Sequence, residues 1–269
     1  MEILRDRSHF GLIDEPSQQE DRDTCTANCI PSQLNFRAQR SWGLCSQCVF
    51  EESCGLASDN SKSQTEWNAL GHMSGSYQAG DYIFRAGDTF DCIAIVRAGS
   101  VKTLVNDSAG NEHILAFGFP GDILGLGGFH SLAYPCSSIA MEPIQVCKIP
   151  YADICGRAQK SAQLQYKLLG ALSEQIGRSA TMAARSRADE RMASFLVDLS
   201  MRQRRRGYSP HQLHLKMSRA DLANYLRMAP ETASRVLKRL IADDVAMVRA
   251  RHILILDMNR LLKMAAFSR

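Results

Sequence analysis

Three cysteines, Cys45, Cys48 and Cys54, fall within ten residues in the spacing C-x2-C-x5-C. Thiolates that close together can wrap one metal centre from a short loop, with a fourth ligand supplied from elsewhere in the chain. Thiolate-only ligation suits zinc or an iron-sulfur cluster, and local spacing does not separate the two. Unligated thiols are the third reading. The segment LCSQCVFEESC around them carries too little apolar surface to order itself, so a bound group must do it. Cys25 and Cys29 form a rival pair, but their x3 spacing matches metal motifs loosely and they read as spare thiols. Cys92, Cys136 and Cys155 stand singly and read as small apolar residues. Nine cysteines, an odd number, suit a reducing cytoplasmic interior better than a disulfide framework. The charged opening MEILRDRSHF is unlike a secretion signal, and no run approaches the ~18 apolar residues of a membrane span.

A second set of residues can read a base sequence. Ser218-x-x-Asp221 has the form of a capping box, opening a short helix through Leu226 whose inward residues are Leu222, Ala223 and Leu226. After the break Arg227-Met228-Ala229, Pro230 stands in the first turn of a second helix, PETASRVLKRLIADD, where proline is tolerated. Ala233, Val236, Leu237 and Leu240 recur at helical spacing and face inward, which leaves Glu231, Ser234, Arg235 and Lys238 opposite. Arg235 can pair bidentately with guanine O6 and N7, Glu231 can accept from cytosine N4, and Ser234 can touch a base edge or a thymine methyl. Lys238 and Arg239 are placed for phosphates. Two short helices and a tight turn make a helix-turn-helix, and RHILILD beyond would pair with Ala246 to Val248 as a wing. The competing reading is a helical hairpin with a solvated charged face.

The charge distribution favours the first reading. Lys plus Arg is 32 against 28 for Asp plus Glu, a net of +4, yet the excess is local. Residues 1–177 hold 13 basic and 20 acidic side chains, a balance of −7, whereas residues 178–269 hold 19 and 8, a balance of +11. A polyanion would meet the C-terminal third. The elements that must position these residues follow from punctuation and period. Between residues 75 and 157, Gly80-Asp81, Gly87-Asp88, Gly99-Ser100, Gly110-Asn111 and Pro120-Gly121-Asp122 separate short segments such as CIAIV and SVKTLV, the pattern of a small antiparallel roll. Residues 158–187 change to a helical period in which Leu169, Leu172, Ile176, Ser179 and Ala183 are spaced 3, 4, 3, 4 as a seam for a partner helix. Residues 188–269 form the helical DNA-binding part, with Arg204-Arg205-Arg206 as a solvated face, and residues 1–74 are the weakly packed segment that carries the cysteine motif. The expected class is α+β.

With these motifs in place, residues 75–269 resemble the CRP/FNR family of bacterial transcription regulators: a β-roll sensor, a long dimerisation helix and a winged helix-turn-helix. Glu231-Thr232-Ala233-Ser234-Arg235 is similar to the E-x-x-S-R reading motif of the FNR branch, whose dimers bind palindromes of the form TTGAT-N4-ATCAA. The resemblance implies that Cys45, Cys48, Cys54 and Cys147, the last within Val146-Cys147-Lys148-Ile149-Pro150, ligate a [4Fe-4S] cluster. It further implies that oxygen converts the cluster and weakens the homodimer, and that the protein activates or represses transcription with RNA polymerase as partner. Two positions depart from the family pattern. Arg227 stands where a turn glycine is common, which would cost about 1 kcal/mol if the backbone is left-handed there. Ala229 stands where a hydroxyl often caps the recognition helix, a loss of roughly 0.5 to 2 kcal/mol unless Pro230 offsets it. Ser179 lies on the seam where some FNR relatives carry an acidic residue.

Three other readings have a weaker basis. Cyclic-nucleotide binders in this family use G-E-x-G and an Arg-Ser pair, for which this chain has Gly125-Leu126 and Cys136-Ser137; a buried phosphate without its arginine is costly, so no cyclic nucleotide is expected. Haem sensing would need axial ligands such as His72, His113 or His130. A cupin-type metalloenzyme would need clustered histidines such as H-x-H on a strand, and the seven histidines show none, so the chain is read as a regulator and not an enzyme.

Overall fold

The computed structural model describes residues 73–265, so Cys25, Cys29, Cys45, Cys48, Cys54 and His72 lie outside the described residues. Strands β1 (Met73–Tyr77), β2 (Tyr82–Phe84), β3 (Cys92–Ala98), β4 (Val101–Asn106), β5 (Glu112–Gly118), β6 (Ile123–Leu124), β7 (Ser137–Ala140) and β8 (Ile144–Pro150) build the roll, with a short helix α1 (Gly128–Ser131) before β7. They form two antiparallel sheets, ordered β1-β8-β3-β6 and β2-β7-β4-β5. The glycine-marked turns make this possible. Gly99 between β3 and β4 has φ +82°, and a Cβ there would meet the Pro143 carbonyl oxygen at 2.6 Å, so only glycine closes that turn without displacement. β3 reads as continuous apolar sequence, and Ile93, Ala94, Ile95 and Val96 are all buried, so both of its faces are covered. The ring of Tyr134 stacks on Phe84 at 4.1 Å, and its hydroxyl donates to the Cys92 carbonyl at 2.6 Å.

Three helices follow. Helix α2 (Tyr151–Ala158) leaves the roll, so residues 151–157, which the turn pattern assigns to the roll, are helical. Helix α3 (Ala162–Ala184) starts at Ser161, whose hydroxyl accepts from the Leu164 amide at 3.2 Å, a normal N-cap. Ile154 and Leu164 join the buried cluster of the roll, and Leu168, Ala171 and Leu172 pack against it from the side. Helix α4 (Ala188–Arg205) begins after the non-helical Arg185-Ser186-Arg187.

Beyond α4 come β9 (Gln212–His214), α5 (Arg219–Tyr225), α6 (Pro230–Ala242), β10 (Ala246–Arg249), β11 (His252–Ile255) and α7 (Met258–Ala265). β10 and β11 pair antiparallel from Ala246↔Ile255 to Arg249↔His252, which is the expected wing, and β9 adds a third strand beside β11. A single apolar cluster unites this region with the second sheet of the roll. It contains Leu104, Ile114, Phe117, Phe119 and Ile139 from the roll together with Phe195, Leu222, Ala233 and Leu240. Arg206 departs from the solvated face expected of the arginine run: its guanidinium lies 5.8 Å from the centre of the Phe119 ring, beside that of Arg202 at 5.7 Å. Among the described residues, no helix is long and apolar enough to cross a membrane.

Candidate DNA-reading surface and cysteine ligand

The reading surface is built from two helices fixed at their ends. Ser218 and Asp221 form a complete capping box: the Asp221 amide donates to the Ser218 hydroxyl at 2.9 Å, and the Ser218 amide donates to the Asp221 carboxylate. Asp221 also receives Nζ of Lys102, from β4 of the roll, at 3.2 Å. Partial burial works against this carboxylate, but hydrogen bonds from Ser218 and Lys102 outweigh it and hold Asp221 below the ordinary carboxylate range. The chain then turns at Arg227, whose φ is +52°, so a non-glycine residue does occupy the left-handed conformation at this turn. Helix α6 has Ala229 at its N-cap with no side-chain bond and Pro230 at the first position, where the missing N–H costs nothing.

Along α6, Ala233, Val236, Leu237 and Leu240 are buried. Glu231, Ser234, Arg235 and Lys238 are exposed, placing one negative charge, two positive charges and one hydroxyl on the outward face of the helix. Arg239 follows one turn after Arg235 and donates to Asp189 of α4 at 2.5 Å. The first helix-turn-helix element is in turn held against the roll: the Asn224 carboxamide accepts from the Ile114 amide at 2.8 Å and donates to the Glu112 carbonyl at 2.7 Å.

On α3 the five seam residues do not share one environment. Leu169 and Ile176 are 65% and 67% exposed, so their side of the helix is uncovered in the single chain. Ser179 and Ala183 are exposed as well, whereas Leu172 is half-buried against the roll. Tyr166 extends the exposed apolar line at 80% exposure, a residue that the 3, 4, 3, 4 count did not include.

Cys147 is half-buried on β8, between β1 and β3, opposite Ser74 and Ile95. The other described cysteines have different surroundings. Burial pushes the Cys92 thiol up to about 11, and it raises Cys136 too, so neither is disposed to act as a thiolate ligand. Among the described residues no three His, Cys, Asp or Glu side chains converge on a metal-sized site, so a centre at Cys147 requires the N-terminal thiolates. A cavity of about 360 Å³ lies between the roll, α3 and the helical domain, lined in part by Gly125, Leu126, Cys136, Arg178, Arg202 and Arg227. Leu126 is buried and Cys136 is a neutral thiol, so the two positions that would hold a ribose hydroxyl and a cyclic phosphate offer neither carboxylate nor guanidinium. Arg178 and Arg202 are instead directed at Asp122, at 3.9 and 2.7 Å.

Comparison with known proteins agrees with this geometry. Residues 75–157 match the cyclic nucleotide-binding domain, and residues 190–264 match the Crp-like helix-turn-helix domain. Over 227 residues the chain is 34% identical to the transcriptional activator protein Anr of Pseudomonas protegens, covering 83% of this chain and 93% of that one. The chain belongs to the CRP/FNR family of transcription regulators. It is also 30% identical over 223 residues to the anaerobic regulatory protein of Haemophilus influenzae, covering 82% of this chain and 87% of the relative. The fold matches that of FixK2 from Bradyrhizobium japonicum with a TM-score of 0.67 at 24% identity, over 74% of this chain and all of the other. This regulator is therefore a DNA-binding protein of the FNR type and not an enzyme, and its helix-turn-helix is the DNA-binding element.

Proposed function

We propose that the protein is an oxygen-responsive regulator in which Cys45, Cys48, Cys54 and Cys147 hold a [4Fe-4S] cluster that promotes dimerisation and operator binding when oxygen is low. The observation that carries this reading is the placement of Cys147 on β8, paired with β1, the strand through which the chain enters the roll from the cysteine segment. Ser74, which lies opposite Cys147, is twenty positions after Cys54, and a chain of that length can span up to ~66 Å (3.3 Å per residue), so the tether permits all four thiolates to meet. Soft thiolates suit iron and sulfide, and the cluster, when bound, supplies an oxygen-labile centre.

The chain's own residues do the rest. Leu169 and Ile176, with Ala183, form an apolar line on α3 that a second copy covers, and the homodimer presents two copies of α6. Arg235 donates to guanine O6 and N7, Glu231 accepts from cytosine N4, Ser234 meets a base edge, and Lys238 meets a phosphate. Half-sites in TTGAT-N4-ATCAA lie close to one helical turn apart, as two recognition helices on one side of the duplex require. RNA polymerase is the partner that a bound regulator would contact.

Anaerobic purification followed by iron, sulfide and zinc analysis tests the centre. About four iron per chain are expected, with loss of iron in Cys147→Ala and retention in Cys25→Ser and Cys29→Ser. One equivalent of zinc in place of iron would overturn the cluster, and iron loss in either serine variant would overturn the choice of ligands.

A further inference from the structure

The break between α3 and α4 is tied to the recognition helix by two side chains from the first turn of α4. Arg191 donates to the carbonyl oxygens of Arg185 at 3.2 Å and Ser186 at 2.6 Å, which are the residues of the break. The same guanidinium donates through its other terminal nitrogen to the carbonyl of Arg227 at 3.4 Å, the left-handed residue of the helix-turn-helix. Two positions earlier, Asp189 accepts from Arg239 of α6 at 2.5 Å. Arg185 donates to the Ala265 carbonyl at the end of α7. The junction below the seam helix is thereby bonded to the turn, to the recognition helix and to the last helix.

We infer that Asp189, Arg191 and Arg239 are positioning residues that set the angle of the recognition helix relative to the seam helix, and hence the half-site spacing the dimer accepts. This rests on the dimeric operator reading above. The guanidinium of Arg239 is already engaged, and reaching for a phosphate would break a charge-assisted bond. Oδ1 of Asp189 is buried without a hydrogen bond, so its carboxylate has little other compensation once Arg239 is gone. Asp189 also suits the positive end of α4, but that interaction acts on helix stability and carries no information about α6. In Arg191 the geometry is more telling. One planar fork spans carbonyls 42 positions apart in sequence, from Arg185 to Arg227, so a rotation of α6 and its turn about the junction has to break it.

The test uses the full chain, purified anaerobically, with Asp189→Asn, Arg239→Met, Arg239→Lys and the Asp189→Asn/Arg239→Met double variant. Duplexes carry the TTGAT and ATCAA half-sites separated by three, four or five base pairs, titrated at several salt concentrations. Asp189→Asn and Arg239→Met should each weaken binding to the four-base-pair spacing about fivefold, the equivalent of ~1 kcal/mol for a partly exposed ion pair. Each should also narrow the preference over the other spacings, the double variant should be no worse than either single one, and Arg239→Lys should recover most of the preference. If Arg239→Met instead weakens every spacing alike and lowers the salt slope by about 0.9 per contact, while Asp189→Asn binds as tightly or tighter, then Arg239 is a phosphate contact and the inference fails. It fails equally if the variants melt earlier with their spacing preference intact. Wild-type protein indifferent to spacing would overturn the dimeric operator reading itself, an outcome distinct from both.

Discussion

Replacing Arg227 by glycine tests the geometry of the helix-turn-helix with a magnitude that can be worked out beforehand. The residue has φ +52°, where an L side chain crowds its own carbonyl and costs about 1 to 2 kcal/mol. Glycine removes that cost but adds roughly 0.5 to 1 kcal/mol of backbone freedom to the unfolded chain. The Arg227 side chain is exposed, and the backbone bonds of the turn, Arg227 N–H to the Asn224 carbonyl at 2.9 Å and Met228 N–H to the Ala223 carbonyl at 3.0 Å, are available to glycine and alanine alike. Arg227→Ala keeps the Cβ and therefore the strain while deleting the rest of the side chain. The difference between Arg227→Gly and Arg227→Ala isolates the backbone term, and glycine should be the more stable by about 0.5 to 1 kcal/mol. For a chain of this size that is a thermal midpoint roughly 1 to 4 °C higher. Thermal and urea unfolding at one fixed protein concentration would read it, since dimerisation makes the midpoint concentration-dependent. A glycine variant no more stable than the alanine variant would show that the turn is not held in a strained left-handed conformation, and the packing angle between α5 and α6 would need another origin.

Two further outcomes follow from the exposed faces. Ile176→Glu should leave the monomer's melting unchanged, because the side chain is 67% exposed there, while abolishing dimerisation in anaerobic sedimentation, where two facing carboxylates would each lose several kcal/mol of hydration; a persistent dimer would place the interface elsewhere. Arg235→Ala should cost roughly 1 to 3 kcal/mol per half-site and relax preference at the guanine, whereas Lys238→Ala should weaken all duplexes alike and lower the salt slope by about 0.9 per contact. Should Arg235→Ala weaken matched, guanine-substituted and scrambled duplexes equally, α6 would not be reading that base.

The parts of this fold that are legible in the sequence are those set by short-range rules. The capping box at Ser218, the proline at the start of α6 and the inward residues of both helices follow from spacing alone, whereas the conformational demand on Arg227 is implied only by the family resemblance, whose pattern has a glycine there. The roll shows itself through turns that need glycine, with Gly99 the tightest case. Legibility ends where distant segments meet. Tyr166 extends the exposed line of α3 and Leu172 turns toward the roll because α3 packs one side against the roll, which a heptad count does not contain. Arg206 belongs to an arginine run that composition alone assigns to solvent, yet Phe119 lies under it. Arg239 resembles Lys238 in every local respect, and only the position of α4 separates their environments.

The same limit applies to how the roll and the reading helices are joined. β5 is the edge strand of its sheet, and an edge leaves backbone groups unpaired. Here Asn224 of α5 uses its carboxamide as a strand would, with one donor and one acceptor on alternate residues of β5, while Arg202 of α4 donates to the Phe117 carbonyl at 3.3 Å on the same strand. Lys102, on the neighbouring strand, enters the capping box of α5 through Asp221, and Asn224 lies three residues further along that helix. Phe117, Phe195 and Tyr225 fill the space between these polar contacts with ring centres 5.1 to 6.2 Å apart. A displacement of β5 relative to α3 therefore either carries α5 with it, and α6 through the short turn at Arg227, or breaks hydrogen bonds at both ends of the strand. The roll need not touch DNA to govern how α6 is presented to it.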